Sequence, residues 1–168
     1  MPAKSTRRTA TPRIPEKKPR RTGLIAPWVR LVREVPASAM PVPQSVRNPR
    51  LAFEMVREDM EALEVESFQI IALDTQLRAI GRVEVSRGIL NASLVSPREV
   101  FRTAIALNAA ALILVHNHPS GDPTPSPDDH AVTDQLIAAG RLLDIPVHDH
   151  IIVGQRGRYT SFAEARLM

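Results

Sequence analysis

The feature that most constrains the fold is the stretch AALILVHNHPSGDPTPSPDDH, which runs from residue 110 to residue 130. Its small and branched residues up to His116 predict a buried strand. Pro119 ends that strand, and the glycine and prolines of SGDPTP turn the chain. Ser126 then suits the N-cap of a helix and Pro127 its first position. One short loop must therefore join the end of a buried strand to the start of a helix.

The rest of the chain predicts an α/β domain over residues 46–168. A helix face is indicated by apolar residues at helical spacing, namely Leu51, Met55, Val56, Met60 and Leu63. The segments SFQIIALDT, LRAIGRVEVS, IPVHDHIIVG and GRYTSF have strand character, and GILNASLV suits a further strand. Ser96, Pro97 and Glu99 predict a helix over about residues 97–108 that opens with a capping box. This order predicts a single domain, a mixed β-sheet flanked by helices.

The charge divides the chain into a basic arm and an acidic body. Residues 1–50 hold twelve Lys or Arg against Glu16 and Glu34, a net charge of +10, and the remaining residues sum to −6. Nine of the fifteen prolines lie in the same first fifty residues. We expect residues 1–45 to be a largely disordered arm. It is either a weak nucleic-acid contact or a solvated spacer, and residues 23–35 form a short amphipathic patch within it.

The composition excludes several classes of protein. The chain has no cysteine, so disulfides, thiolate metal sites and cysteine nucleophiles are ruled out. No apolar run reaches the length that spans a membrane, and no secretory signal follows the start. The expectation is a cytoplasmic protein without membrane contact. The sequence leaves its oligomeric state open.

Two histidines at the end of the predicted strand suggest a metal site. Residues i and i+2 of an extended chain point to the same side, so His116 and His118 present two imidazoles to one point. Asp129, in the first turn of the next helix, can return a carboxylate to that point. Two histidines and one carboxylate are the ligand count of catalytic zinc sites, which keep a position for water. The expected cofactor is Zn²⁺.

The sequence HNHPSGDPTPSPDD resembles the H-x-H-P-x₆-S-x₂-D signature of JAMM (MPN+) metalloproteases, and most of all their RadC-like branch. The similarity extends over about a hundred residues, through ESFQIIALD, GILNASLVSPREVF and IPVHDHIIVG. It implies a JAB/MPN-like fold with the layering of cytidine deaminases. Residues 1–50 contain one glycine, Gly23, and no helix-hairpin-helix motif. The chain therefore resembles the short form of this family.

The resemblance also implies roles for individual residues. His116, His118 and Asp129 would bind zinc, and Ser126 would stabilise the oxyanion of the tetrahedral intermediate. A glutamate at the start of the first strand would act as general base. Glu66 fits this place, and Glu64 is the alternative. The implied reaction is hydrolysis of a peptide or isopeptide bond in a peptide or protein substrate.

A second H-x-H pair competes with the first. His148 and His150 lack a following loop that returns a third ligand, so we interpret them as core or surface histidines. The alternative is that one of them orients a zinc ligand. Asn117 points away from the two ligand histidines and is expected to brace the loop. His130 is expected to be solvated.

Two further functions remain open at the level of sequence. One is a non-catalytic, zinc-containing module that associates with DNA through the basic arm. The other is a metal-dependent nuclease. Nuclease sites often gather carboxylates around two metal ions, whereas this site has two histidines and one carboxylate. A zinc metallopeptidase is therefore the preferred prediction.

Overall fold

The computed structural model describes residues 45–88 and 95–168. The helices are α1 (Pro49–Glu61), α2 (Pro97–Ala106) and α3 (Pro127–Leu143). The strands are β1 (Ser67–Leu73), β2 (Ala79–Arg87), β3 (Ala111–Asn117), β4 (Val147–Val153) and β5 (Tyr159–Ser161). The predicted disordered arm, its amphipathic patch and most of the GILNASLV strand lie outside the described residues.

The five strands form one mixed sheet, as predicted. Their order is β2-β1-β3-β4-β5. The pairs β1–β2, β1–β3 and β4–β5 are antiparallel, whereas β3 and β4 run parallel. A parallel pair needs a crossover connection, and α3 supplies it. The start of α3 is thereby brought close to the end of β3.

Helices cover both faces of the sheet. One core packs α2 and α3 against the sheet through Val100, Phe101 and Leu136, among others. The other packs α1 against the opposite face through Phe53 and Met60. Strands β1 and β3 are buried along their whole length. Both strands carry apolar residues on both faces because each face has a helical layer.

The face of α1 differs in part from the prediction. Val56 and Met60 are buried as expected, but Leu51 is 36% exposed, and Ala52 and Phe53 take its place in the core. The register of the buried face is therefore shifted by one residue at the start of the helix. Its N-cap is Asn48, whose side chain accepts a hydrogen bond from the Leu51 amide.

The beginning of α2 corrects another detail. Ser96 is its N-cap and Pro97 follows as predicted, but the Ser96 side chain makes no capping hydrogen bond. The predicted capping box is therefore wrong. Glu99 forms ion pairs with Arg98 and Arg102 instead of reaching back to the cap.

The end of α2 also differs from the predicted limit at residue 108. The helix ends at Ala106 with Leu107 as C-cap, and Asn108 adopts a positive φ of 54°. Asparagine is among the residues that adopt this left-handed conformation most readily.

Within residues 45–88 and 95–168, no helix has the length and apolar character needed to cross a bilayer.

Candidate metal centre

The structure brings His116, His118 and Asp129 together at the end of β3. His116 is on the strand itself, and His118 follows it by two residues. Both histidines lie on the side of the sheet that faces α3, because side chains alternate along a strand and Leu114 packs on that side. Asp129 is the third residue of α3. The crossover from β3 to α3 is thus what assembles the three side chains.

Short distances separate the nitrogen and oxygen atoms of this group. Nε2 of His116 lies 2.9 Å from Nε2 of His118. Oδ1 of Asp129 is 3.0 Å from Nε2 of His116, and Oδ2 is 3.4 Å from Nε2 of His118. His116 and Asp129 are buried, and His118 is partly buried. Among the described residues, these three side chains form a group that could hold a metal ion.

These separations fit a single ion. Ligand atoms that each lie about 2.0–2.1 Å from one zinc at tetrahedral angles are about 3.3 Å apart. The observed separations, from 2.9 to 3.4 Å, are close to this value, with a different oxygen of the Asp129 carboxylate facing each histidine. The three side chains therefore lie close enough together to hold one metal ion.

The hydrogen bonds of His118 direct a lone pair into the site. Nδ1 of His118 lies 2.7 Å from the carbonyl oxygen of Asp122. A carbonyl can only accept, so Nδ1 donates, and in the neutral ring Nε2 has no hydrogen. That bare nitrogen faces the Asp129 carboxylate. Acceptor atoms that face one another need a cation between them, either a proton or a metal ion.

Asp129 is held by the start of its own helix. Its Oδ2 accepts hydrogen bonds of 2.7 Å from both the amide and the hydroxyl of Ser126. The Ser126 hydroxyl in turn accepts from the Asp129 amide at 3.2 Å, which completes a capping box. Oδ1 remains directed at His116. The cap therefore fixes the carboxylate in the orientation that a metal ligand requires.

Charge at the site is concentrated on His118 and Asp129. Burial raises the pKa of Asp129, but hydrogen bonds with His116 and His118 outweigh it and hold the pKa well below the usual range. The hydrogen bond with Asp129 is the main cause that raises the pKa of His118, and burial opposes it. The two pKa values are thus shifted in opposite directions, as expected for a carboxylate and an imidazole that interact across the site.

Glu66 lies at the edge of the site. It directly precedes β1, in which Phe68, two residues further on, pairs with His116 of the antiparallel strand β3. Its negative charge is among the causes that raise the pKa of His118. Glu66 is partly buried, whereas Glu64 is exposed in a bend of the chain. The geometry therefore favours Glu66 over Glu64 as the candidate base.

Asn117 braces the backbone around Glu66. Its Oδ1 accepts from the Ser67 amide at 2.8 Å, and its Nδ2 donates to the Val65 carbonyl at 3.1 Å. The Glu66 carbonyl accepts from the Gly88 amide at 2.8 Å. Asn117 points away from the two candidate ligand histidines, as predicted. It supports the start of β1, however, and the prediction that it braces the loop is wrong.

The loop between β3 and α3 is supported by the turn between β4 and β5. The Gly121 carbonyl accepts from the Arg158 guanidinium at 2.6 Å and from the Gln155 amide at 3.2 Å. A Cβ at Gly154 would lie 2.7 Å from the Gly121 carbonyl oxygen, so only glycine allows this approach. The loop that carries Asp122, and through it His118, is therefore held in a fixed position.

The second H-x-H pair is divided by the structure. His148 is exposed, whereas His150 is fully buried, and its Nε2 lies 2.8 Å from Nδ1 of His116. Nδ1 of His150 lies 2.6 Å from the hydroxyl of Thr133. Sequence reasoning did not identify Thr133, whose only signal was its place one helical turn after Asp129.

His130 is half-buried, and its ring lies 5.1 Å from that of Phe162, so the prediction that it is solvated is wrong.

Comparison with known proteins identifies the family. A model of the RadC-like JAB domain matches residues 46–167. The chain belongs to this family. The His-His-Asp group lies within the matched region and could hold a metal ion, as JAB domains typically do.

Several relatives carry the name UPF0758 protein, which states no activity. One, from Symbiobacterium thermophilum, is 50% identical over 133 residues, which cover 79% of this chain and 56% of the relative. Another, from Moorella thermoacetica, is 48% identical over 123 residues, which cover 73% of this chain and 53% of the relative. A third, from Thermotoga maritima, is 50% identical over 107 residues, or 64% and 48% of the two chains. The chain thus spans about half the length of the curated relatives that it matches.

Proposed function

We propose that this protein is a zinc-dependent metallopeptidase that hydrolyses a peptide or isopeptide bond. The observation that carries the proposal is the convergence of two imidazole nitrogens, 2.9 Å apart, on the Asp129 carboxylate, whose two oxygens lie 3.0 Å and 3.4 Å from them. Imidazole and carboxylate are ligands that suit zinc. Structural zinc sites have four protein ligands, and catalytic ones have three.

His116, His118 and Asp129 would hold the zinc ion. Bound there, zinc would lower the pKa of a water molecule to about 7 and polarise the carbonyl group that is attacked. The remaining tasks belong to the protein. They are to remove a proton from the water, to stabilise charge on the carbonyl oxygen and to return a proton to the leaving amine.

Glu66 would move the proton. Its carboxylate takes a proton from water as the oxygen bonds to the carbonyl carbon, and it passes that proton to the nitrogen as the C–N bond breaks. The electrostatic influence of Glu66 on His118 and the bracing of the backbone around Glu66 by Asn117 and Gly88 support this role. A fixed backbone is what a base needs to reach the same atom in each turnover.

Ser126 would stabilise the oxyanion. Its hydroxyl donates to Oδ2 of Asp129 at 2.7 Å, so it lies at the metal site on a well-held residue. Rotation about the Cβ–Oγ bond would direct its hydrogen towards a substrate oxygen while the oxygen stays in place as the cap. A donor aimed at the developing charge contributes about 10²–10³-fold in rate.

The substitution Glu66→Gln tests the proposal. It preserves the size of the side chain but removes the base, so we expect zinc to be retained and hydrolysis to fall by about 10²–10⁴-fold. The assay combines zinc content by mass spectrometry with initial rates on panels of linear peptides and isopeptide-linked conjugates. Glu64→Gln is the matched control and should keep the wild-type rate.

Two results would contradict the proposal. One is a Glu66→Gln variant that binds zinc and cleaves at the wild-type rate. The other is a zinc-loaded wild-type protein that cleaves no member of either panel. The second outcome, together with DNA binding that is unaffected by Glu66→Gln, would favour the DNA-associated module.

A further inference from the structure

A chain of three hydrogen bonds connects two of the candidate metal ligands behind the site. It starts at Nδ1 of His116, which lies 2.8 Å from Nε2 of His150. It continues from Nδ1 of His150 to the Thr133 hydroxyl at 2.6 Å. It ends where that hydroxyl donates to the carbonyl oxygen of Asp129, also at 2.6 Å.

The direction of every hydrogen bond in this chain follows from its last acceptor. The Asp129 carbonyl can only accept, so Thr133 uses its single hydroxyl hydrogen there. Nδ1 of His150 must then be the donor to the Thr133 oxygen. A neutral His150 with its hydrogen on Nδ1 has a bare Nε2, which accepts from Nδ1 of His116.

This direction determines which nitrogen of His116 can bind a metal. With its hydrogen on Nδ1, the neutral His116 ring has a bare Nε2, and Nε2 is the atom that faces His118 and Asp129. If the chain ran the other way, Nε2 of His116 would carry the hydrogen and could not act as a ligand. The tautomer of His116 is therefore set by a residue 17 positions away from it, Thr133.

We propose that His150 and Thr133 are positioning residues that hold His116 as the Nδ1–H tautomer and so present its Nε2 to the metal. The inference rests on the metal site proposed above, but not on the reaction. It assigns a role to the second H-x-H pair, in which only His150 takes part. It also couples the two ligands, because the same chain of hydrogen bonds holds both His116 on β3 and the Asp129 carbonyl on α3.

The surroundings of His150 keep this arrangement rigid. His150 and Thr133 are both fully buried. The His150 ring packs against two phenylalanine rings, with centroids 5.6 Å away for Phe68 and 4.9 Å for Phe162. A charged imidazolium would be desolvated at this fully buried position, so burial favours the neutral form of His150. Both side chains are therefore shielded from bulk solvent.

The tautomer of His150 is the first test, and it needs no substitution. Long-range ¹H–¹⁵N correlation spectra of the full chain, with and without zinc, report which ring nitrogen of each histidine carries the hydrogen. We expect His150 to be protonated on Nδ1 and bare on Nε2 in both samples. A hydrogen on Nε2 of His150 in either sample would overturn the inference.

The second test compares two substitutions of one residue. Thr133→Val keeps the shape of the side chain but removes the acceptor for His150, whereas Thr133→Ser keeps the hydroxyl. Loss of a partner that orients a metal-binding histidine costs about 10–100-fold in metal affinity. We therefore expect the zinc Kd, measured against a competing chelator, to rise by that factor in Thr133→Val and to stay near the wild-type value in Thr133→Ser.

The outcomes separate this inference from the proposed function. Equal zinc affinities of Thr133→Val and the wild type would overturn the positioning role, whatever the peptidase assays show. A weakened Thr133→Val and an intact Thr133→Ser would support it even if no peptide is cleaved. If Thr133→Val does not fold, Thr133→Ser provides the test. Wild-type zinc affinity together with His150 protonated on Nδ1 would then support the positioning role, and a loss of zinc affinity in Thr133→Ser would count against it.

Discussion

At the residue scale, the Ser126 hydroxyl serves two functions at once. Its hydroxyl oxygen caps α3 by accepting from the Asp129 amide, and its hydrogen is donated to Oδ2 of Asp129. The first function stabilises the helix, and the second holds the carboxylate of a candidate metal ligand. The proposed oxyanion role is a third one, which uses the same hydrogen during the reaction.

Ser126→Gly separates the cap from the chemistry. Glycine is a tolerable N-cap, so the free energy of unfolding should fall by only about a few tenths of a kcal/mol. Loss of the donor should lower kcat/KM by about 10²-fold while zinc is retained. Chemical denaturation, zinc content and initial rates measure the three effects.

Ser96→Gly is the matched control, because Ser96 caps α2 without a side-chain hydrogen bond. It should leave stability, zinc content and rate near their wild-type values. If Ser126→Gly keeps the full rate, the oxyanion role is wrong. If it loses zinc, orienting Asp129 is the main function of the hydroxyl.

At the scale of elements, a buried carboxylate joins β4 to the segment that follows β5. Asp149 accepts from the Ser161 hydroxyl at 2.7 Å, from the Ala163 amide at 2.9 Å and from the His150 amide at 2.7 Å. Burial is the largest influence on this group and raises the pKa of Asp149, although the three hydrogen bonds oppose it. The carboxylate thus organises the end of the chain beside His150 at some electrostatic cost.

A pH dependence follows from that raised pKa. Between the unfolded pKa of about 3.9 and the higher folded pKa, the folded state binds more protons, so stability decreases as pH rises through this window. Asn at position 149 does not titrate. We expect the wild type to lose stability relative to Asp149→Asn as pH rises from about 4 to 7, measured by urea unfolding of both proteins in the presence of chelator.

The quantity of interest is the difference in the free energy of unfolding between the wild type and Asp149→Asn. The altered hydrogen bonds of Asn contribute equally to this difference at every pH. Other titrating groups cancel in the same way. A difference in the free energy of unfolding that stays constant from pH 4 to pH 7, or that changes in favour of the wild type, would show that burial does not dominate at Asp149.

Elements whose signals are local could be predicted from the sequence, and those that depend on packing could not. The strand, turn and helix around the two ligand histidines have short-range signals in Pro119, Ser126 and Pro127, and all three elements form as expected. The capping box at Ser96 failed because Glu99 has arginine partners within one helical turn. Leu51 was wrongly assigned to the buried face of α1, because periodicity alone does not define which side of the first helical turn packs against the sheet.

The whole molecule explains why His150 was ambiguous in the sequence. Its contact with His116 spans 34 residues and depends on the parallel pairing of β3 with β4, in which Leu114 lies opposite His150. Sheet order and register are properties of the complete fold. No local pattern distinguishes the buried His150 from the exposed His148 two residues before it. The α/β class and the three ligand candidates needed no such information.

At this scale the metal is expected to connect the layers of the domain. Its ligands come from the central strand β3, from the loop after it and from α3, which packs on one face of the sheet. The central claim is that these three side chains bind one zinc ion. A variant that removes a ligand must therefore lose zinc, whereas His148, which is exposed and outside the group, must be dispensable.

Zinc stoichiometry by native mass spectrometry tests this claim most directly. The wild-type chain and His148→Ala, which changes an exposed histidine of the second pair, should each bind one zinc ion. His118→Ala and Asp129→Asn should bind none at the same zinc concentration. A wild-type chain that binds no zinc, or a His118→Ala variant that still binds one, would contradict the account.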